Sequence, residues 1–159
     1  QLDGRITNRH RPPESLVATM TASSAPFAFP IRIYWEDTDA GGIVFYANYL
    51  KFFERARTEW LRALGFGQQV LRDTSGGMFV VSETAVKYHA PARLDDTLVV
   101  TAELQQGGKA SLTIAQRAYL RAPGQTDRLL AEGSIRLGWV DSTTLKPGRI
   151  PAPVLEALK

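Results

Sequence analysis

The chain has no cysteine and only two histidines, His10 and His89, among its 159 residues. The first absence excludes disulfides, a thiolate nucleophile and cysteine-ligated metal, and it suits a reducing, cytoplasmic location. Two imidazoles are too few for a histidine-rich metal site, so neither metal nor cofactor is expected. No apolar run approaches the ~18 residues that cross a bilayer, so no membrane span is expected either. The sequence has no Walker loop, no Rossmann glycine signature and no G-x-S-x-G elbow. There is no dense Lys/Arg block behind the net charge of +3 and the pI near 9.4, so nucleic acid is not an expected partner. That mild basic bias suits an anionic small ligand or an acidic carrier protein.

What is present is ordinary for one globular domain: 44% apolar and 22% charged residues. Residues 1–26 read as a flexible arm with no sustained periodicity. Their apolar stretch LVATM is too short for a secretory signal, and Met20 offers an alternative start. Residues 27–159 form the expected domain. Residues 27–35 alternate as a strand, with Phe29, Ile31, Ile33 and Trp35 on one side. An amphipathic helix follows. Leu50, Phe53, Trp60, Leu61 and Leu64 recur at helical spacing, and Lys51, Arg55, Glu59 and Arg62 lie opposite, with Arg55 and Glu59 spaced to pair. Asn48 is the expected N-cap and Gly65 the left-handed residue that ends the helix. After a short helical turn in 67–77 come four strand-like runs, 78–89, 94–105, 110–121 and 128–140. They are separated by turn signals, including the hairpin signal Gly107-Gly108. Coil with one short terminal helical turn completes the chain. Short connections favour antiparallel pairing. The expectation is an α+β fold, a five-stranded antiparallel sheet wrapped around one long central helix.

The stretch D-T-D-A-G-G just ahead of the helix is the candidate site. From spacing alone, Asp39 is either a turn aspartate serving local amides or a carboxylate facing a helix N-terminus. Free amides and the positive end of the helix dipole would suit an oxygen that gains charge during acyl transfer. Gly41 and Gly42 allow backbone to approach a ligand closely. Glu36 and Asp37 read as solvated turn acids, and Glu54 as a surface ion-pairing residue or a second acid near the pocket. His89, with no nucleophile or orienting acid in sight, reads as structural. Lys109 and Ser111, just past the double glycine, are candidates for holding a phosphate.

At W-E-D-T-D-A-G-G-I-V-F-Y-A-N-Y the sequence resembles the hotdog-fold 4-hydroxybenzoyl-CoA thioesterase family. Through F-F-E-R-A-R-T-E-W-L and V-K-Y-H-A-P-A-R-L-D-D it is most similar to the tol–pal-associated acyl-CoA thioesterase branch. The resemblance implies a hotdog fold, a homodimer or homotetramer with sites at subunit interfaces, and hydrolysis of an acyl-CoA. It implies that Asp39 is the catalytic nucleophile or general base and that the Tyr46 backbone N–H polarises the thioester carbonyl. Many members of that branch carry histidine where this chain has Tyr46. Gly42 would border the substrate, and Lys109 and Ser111 would contact the CoA nucleotide. An acyl-thioester or acyl-carrier-protein binding module without catalysis is the alternative, and it has no need of Asp39.

Overall fold

A computed structural model describes residues 25–159; the arm expected over residues 1–26 therefore lies almost wholly outside the described residues. The strands are β1 (Phe27–Arg32), β2 (Gly77–Tyr88), β3 (Thr97–Gly107), β4 (Ser111–Arg121) and β5 (Arg128–Asp141). The helices are α1 (Asn48–Ala63), α2 (Gln68–Ser75) and α3 (Ala152–Leu158). The strands form one sheet in the order β1-β3-β4-β5-β2, every neighbouring pair antiparallel. That leaves β1 and the 12-residue β2 as edges. No helix among the described residues is long and apolar enough to cross a membrane.

Helix α1 lies against the inner face of the sheet and packs on β1, β3 and β4. Along β4, Leu112, Ile114, Gln116 and Ala118 are buried in strict alternation, the two-residue period of a strand with one covered face. Two features seat the helix. Gly133 on β5 leaves no room for a side chain, since a Cβ there would lie 2.9 Å from the Phe53 ring. Gln116, 1% exposed, donates to the carbonyls of Phe53 (2.9 Å) and Thr101 (3.3 Å) and accepts from the Arg57 guanidinium (2.9 Å). It thereby joins helix to sheet. Burial pulls the Arg57 pKa below its ordinary value, with Glu54 opposing the shift.

The helix ends as expected. Gly65 takes φ +93°, and the Gly65 and Phe66 amides return to the carbonyls of Arg62 and Leu61, a Schellman closure. Its other details differ. The N-cap is Ala47; Asn48 is the first helical residue, and its side chain reaches back eleven positions to the Asp37 carbonyl (2.9 Å). The buried stripe is Tyr49, Phe52, Phe53, Ala56 and Leu61, while Leu50 is 41% exposed. The true face is rotated toward the aromatic residues because the sheet covers that side. Glu59 pairs with Arg62 rather than Arg55, whose guanidinium lies over the Phe52 ring.

Strand β1 stops at Arg32, short of the expected Trp35, because residues 35–37 coil into a 3-10 turn that throws Trp35 outward, 80% exposed. Strand β3 starts at Thr97 rather than 94, since Asp95 adopts φ +68° and breaks the extended run. The Gly107-Gly108 hairpin forms as expected. At the C-terminus α3 buries Val154 and Leu158, and the Ile150 amide donates to the Lys109 carbonyl (2.8 Å).

Candidate active site

The D-T-D-A-G-G stretch closes a small hairpin in which Thr38 pairs with Val44. At its tip the Asp39 amide donates to the Ile43 carbonyl (2.9 Å), and the Gly42 amide returns to the Asp39 carbonyl (3.0 Å). Gly42 sits at φ +76° with nothing within 4 Å of where a Cβ would be. The backbone angle demands glycine there, and the missing side chain leaves open space beside the turn. Asp39 is exposed, and its Oδ1 accepts the Gly41 N–H (2.9 Å). A Cβ at residue 41 would come within 3.1 Å of that oxygen. Among the described residues, Oδ2 accepts no hydrogen bond. The turn thus fixes one carboxylate oxygen and leaves the other available.

From this hairpin the chain passes through Phe45 and Tyr46 into α1. The Val44 amide donates to the Ala92 carbonyl (2.9 Å), and Ile43 bridges to Arg93. The H-A-P-A-R segment is therefore the wall behind the turn. The acid buried here is Asp37, 7% exposed, and not a solvated turn residue as expected from its crowded neighbourhood. Its Oδ2 accepts the Tyr34 N–H (2.8 Å), and its carbonyl gathers the Phe45 amide (3.0 Å) and the Asn48 side chain. Burial is affordable because these groups are all partnered. The Tyr46 N–H, by contrast, meets no acceptor among the described residues. It lies in the turn just ahead of α1, close to the positive end of the helix dipole.

Beside Tyr46 opens a cavity of about 320 Å³ lined by Ile43, Val44, Tyr46, Tyr49, Tyr88 and Pro91 among others. The rings meet edge to face, Tyr46–Tyr88 at 6.2 Å and Tyr49–Tyr88 at 5.5 Å between centroids. Burial raises the pKa of Tyr49 and of Tyr88, so both phenols stay neutral near pH 7 and serve as ring surface and hydroxyl donor. A wider groove of about 560 Å³ lies elsewhere on the sheet. Most of its charged groups are paired, Arg117 with Glu103 and Glu132, and Glu132 with His89 (3.1 Å), while Lys87 makes no ion pair among the described residues.

Glu54 is exposed and accepts the Thr58 hydroxyl (2.8 Å), which fits the surface reading. The structure brings Asp39, Gly42 and Tyr46 onto one short loop but sets Lys109 and Ser111 apart. The Asp39 turn abuts residues 92–93, ahead of β3, whereas the Lys109 hairpin follows the other end of that 11-residue strand. At ~3.3 Å per residue that strand spans up to about 35 Å, so the two sit at its opposite ends within one chain. Sequence reading missed Tyr88 and Gln116. Both are polar groups on β-strands that reach the helix or its approach, and their partners lie 42 and 63 residues away.

A long helix cradled by one antiparallel sheet, with an exposed carboxylate and an open amide in the turn leading to the helix, defines a hotdog-fold thioester-cleaving protein. The comparisons agree. The thioesterase superfamily model matches residues 41–126, and the chain belongs to that family. The acyl-CoA thioesterase YbgC of Haemophilus influenzae, from the tol–pal-associated branch, is 41% identical over 131 residues, 82% of this chain and 93% of that one. The crystal structure of a hypothetical protein from Aquifex aeolicus superposes with a TM-score of 0.77 at 31% identity, covering 84% of this chain and all of that one. A 4-hydroxybenzoyl-CoA thioesterase mutant solved with 4-hydroxybenzoyl-CoA superposes equally, at TM-score 0.77, over 83% and 97% of the two chains. At 18% identity that likeness speaks for the fold. The protein is a thioester hydrolase.

Proposed function

We propose that this protein hydrolyses acyl-CoA thioesters to the carboxylic acid and free CoA, with Asp39 as nucleophile or general base and no metal in the reaction. The observation that carries this reading is the pairing, on one loop, of a carboxylate oxygen and a backbone N–H that both lack a partner among the described residues. The names of the relatives favour CoA as the thiol. As a nucleophile, Asp39 attacks the thioester carbon, and the C–S electron pair leaves with CoA as the thiolate. Water then cleaves the resulting acyl-aspartyl anhydride. As a base, Asp39 takes a proton from water while the water oxygen attacks the same carbon. On either route the carbonyl oxygen becomes an oxyanion, and the Tyr46 N–H and the start of α1 stabilise it. Gly42 leaves room for the thioester beside the turn.

The separation of Lys109 and Ser111 from Asp39 gives a physical reason for the assembly. If the hairpin cradles the CoA phosphates, it serves the Asp39 turn of a neighbouring copy, so the working unit is a homodimer or homotetramer. The free edge of β2, with Val81 51% exposed, is a natural surface for such pairing. The active unit is the domain from residue 27 onward, acting in the cytoplasm. The reading is tested by following free thiol release from acetyl-, butyryl-, octanoyl-, palmitoyl- and benzoyl-CoA, with the assembly followed by light scattering. Steady turnover by a dimer or larger species is expected. No thiol release from any of the five, or a monomer at micromolar concentration, would contradict it.

A further inference from the structure

The Tyr46 amide can act on an oxyanion only if it is held still, and the groups that hold its turn come from the start of α1 and from β2. Tyr46 and Ala47 lie in a turn ahead of α1; the Ala47 carbonyl accepts the Leu50 amide (3.2 Å), whereas the Tyr46 carbonyl takes no helical amide among the described residues. Two peptide groups flank the Tyr46 Cα. The first carries the Tyr46 N–H, and its carbonyl, that of Phe45, accepts the Asn48 amide (2.9 Å). The second is fixed by the Tyr88 hydroxyl, which donates to the Tyr46 carbonyl at 2.8 Å from the end of β2. The turn is anchored below by the Asp37 carbonyl, which gathers the Phe45 amide and the Asn48 side chain.

Resting on the thioesterase reading, we infer that Tyr88 is a positioning residue for the reaction: its hydroxyl clamps the Tyr46 carbonyl and so aims the Tyr46 N–H at the developing oxyanion. Tyr88 touches no reacting atom in this scheme. Its ring packs edge-on against Tyr46 and Tyr49, which directs the hydroxyl along the turn. A fixed donor is worth far more than a mobile one, because nothing has to reorganise as charge appears on the oxygen. The clamp also ties the site to β2, the edge strand proposed above to meet a second copy.

Tyr88→Phe tests this, since it keeps the ring and both edge-on contacts and removes only the hydroxyl. Loss of a whole oxyanion donor costs roughly 10²–10³ in kcat. A donor that is loosened but present should cost roughly fivefold to fiftyfold in kcat, with KM within twofold and Tm within about 4 °C of wild type. A purely structural role would lower Tm and leave kcat per folded molecule unchanged. The second measurement needs no turnover: ¹⁵N relaxation of the full-length chain should show the Tyr46 amide more mobile in Tyr88→Phe, with residues of β4 unaffected. A kcat within twofold of wild type, or an unchanged Tyr46 amide, overturns the inference. Asp39→Asn is assayed in parallel. If it is inactive while Tyr88→Phe turns over normally, the inference fails and the thioesterase reading stands. No turnover by the wild type overturns both.

Discussion

Replacing Gln116 with methionine should destabilise the protein out of proportion to the small change in shape. Gln116 is 1% exposed and makes three hydrogen bonds, two of them as donor to main-chain carbonyls of α1 and β3. Methionine fills nearly the same volume, so the cavity contribution is minor. The lost bonds dominate. The Arg57 guanidinium loses its acceptor in a site where burial already lowers its pKa, and a hydrogen bond to a charged group is worth about 1.5–3 kcal/mol. Each bond to a carbonyl adds about 0.5–1 kcal/mol, because helix and strand carbonyls keep their ladder partners. Part of this is offset by burying an apolar side chain, leaving a net loss of about 2–4 kcal/mol. For a domain of this size that corresponds to a fall of about 5–12 °C in Tm at fixed protein concentration. The double variant Arg57→Met, Gln116→Met removes the stranded cation as well and should recover at least about 1 kcal/mol relative to Gln116→Met alone. Thermal and urea unfolding of the four proteins complete the cycle. A Gln116→Met protein within about 0.5 kcal/mol of wild type would refute the claim that this residue seats α1 on the sheet.

Lys109→Ala should raise KM for acyl-CoA substrates by roughly tenfold with kcat preserved, the loss of one partly exposed charge-assisted bond; steady-state kinetics at two salt concentrations check it, and an unchanged KM would return Lys109 to an ordinary hairpin residue. Asp141 titrates below the usual carboxylate range because the Thr144 and Thr143 amides both donate to it, so its contribution is present above that range and lost as pH falls through its folded value. The Tm gap between wild type and Asp141→Asn should therefore be widest near pH 7 and close on acidification toward pH 3.

Much of the fold was legible because it depends on local periodicity. The two-residue alternation in β4, the helical run into Gly65 and the double-glycine hairpin are each signals carried within a dozen residues. What escaped depends on partners distant in the chain. Asn48 looked like a cap because Asn caps helices; the Asp37 carbonyl, held in the preceding turn, offered its side chain a better acceptor. Leu50 is as apolar as Phe53, and only the placement of the sheet decides that Tyr49, Phe52 and Ala56 share the buried face with Phe53. Asp37 and Asp39 are two positions apart and chemically identical. One is buried beneath the turn and the other exposed on it, a difference set by the hairpin pairing of Thr38 with Val44. For the proposed site, Asp39 and Tyr46 are candidates through the motif, whereas Tyr88 reaches Tyr46 across 42 residues and left no local signal.

The central claim is that Asp39 carries the chemistry, and Asp39→Asn tests it most directly. The substitution keeps the side chain's size and its bond to the Gly41 amide through the amide oxygen, but removes the charge and the nucleophilic or basic oxygen. Single-turnover and steady-state thiol release should show kcat falling by roughly 10²–10⁴ with KM little changed and the melting curve preserved. In a single turnover in ¹⁸O-water, label retained on Asp39 of the wild type would mark the nucleophilic route with water attacking the aspartyl carbonyl, whereas label in the product acid alone is common to direct water attack and to water attacking the acyl carbonyl of the anhydride. A folded Asp39→Asn protein that hydrolyses its thioester within a few-fold of the wild-type rate would contradict the account and return Asp39 to a turn residue.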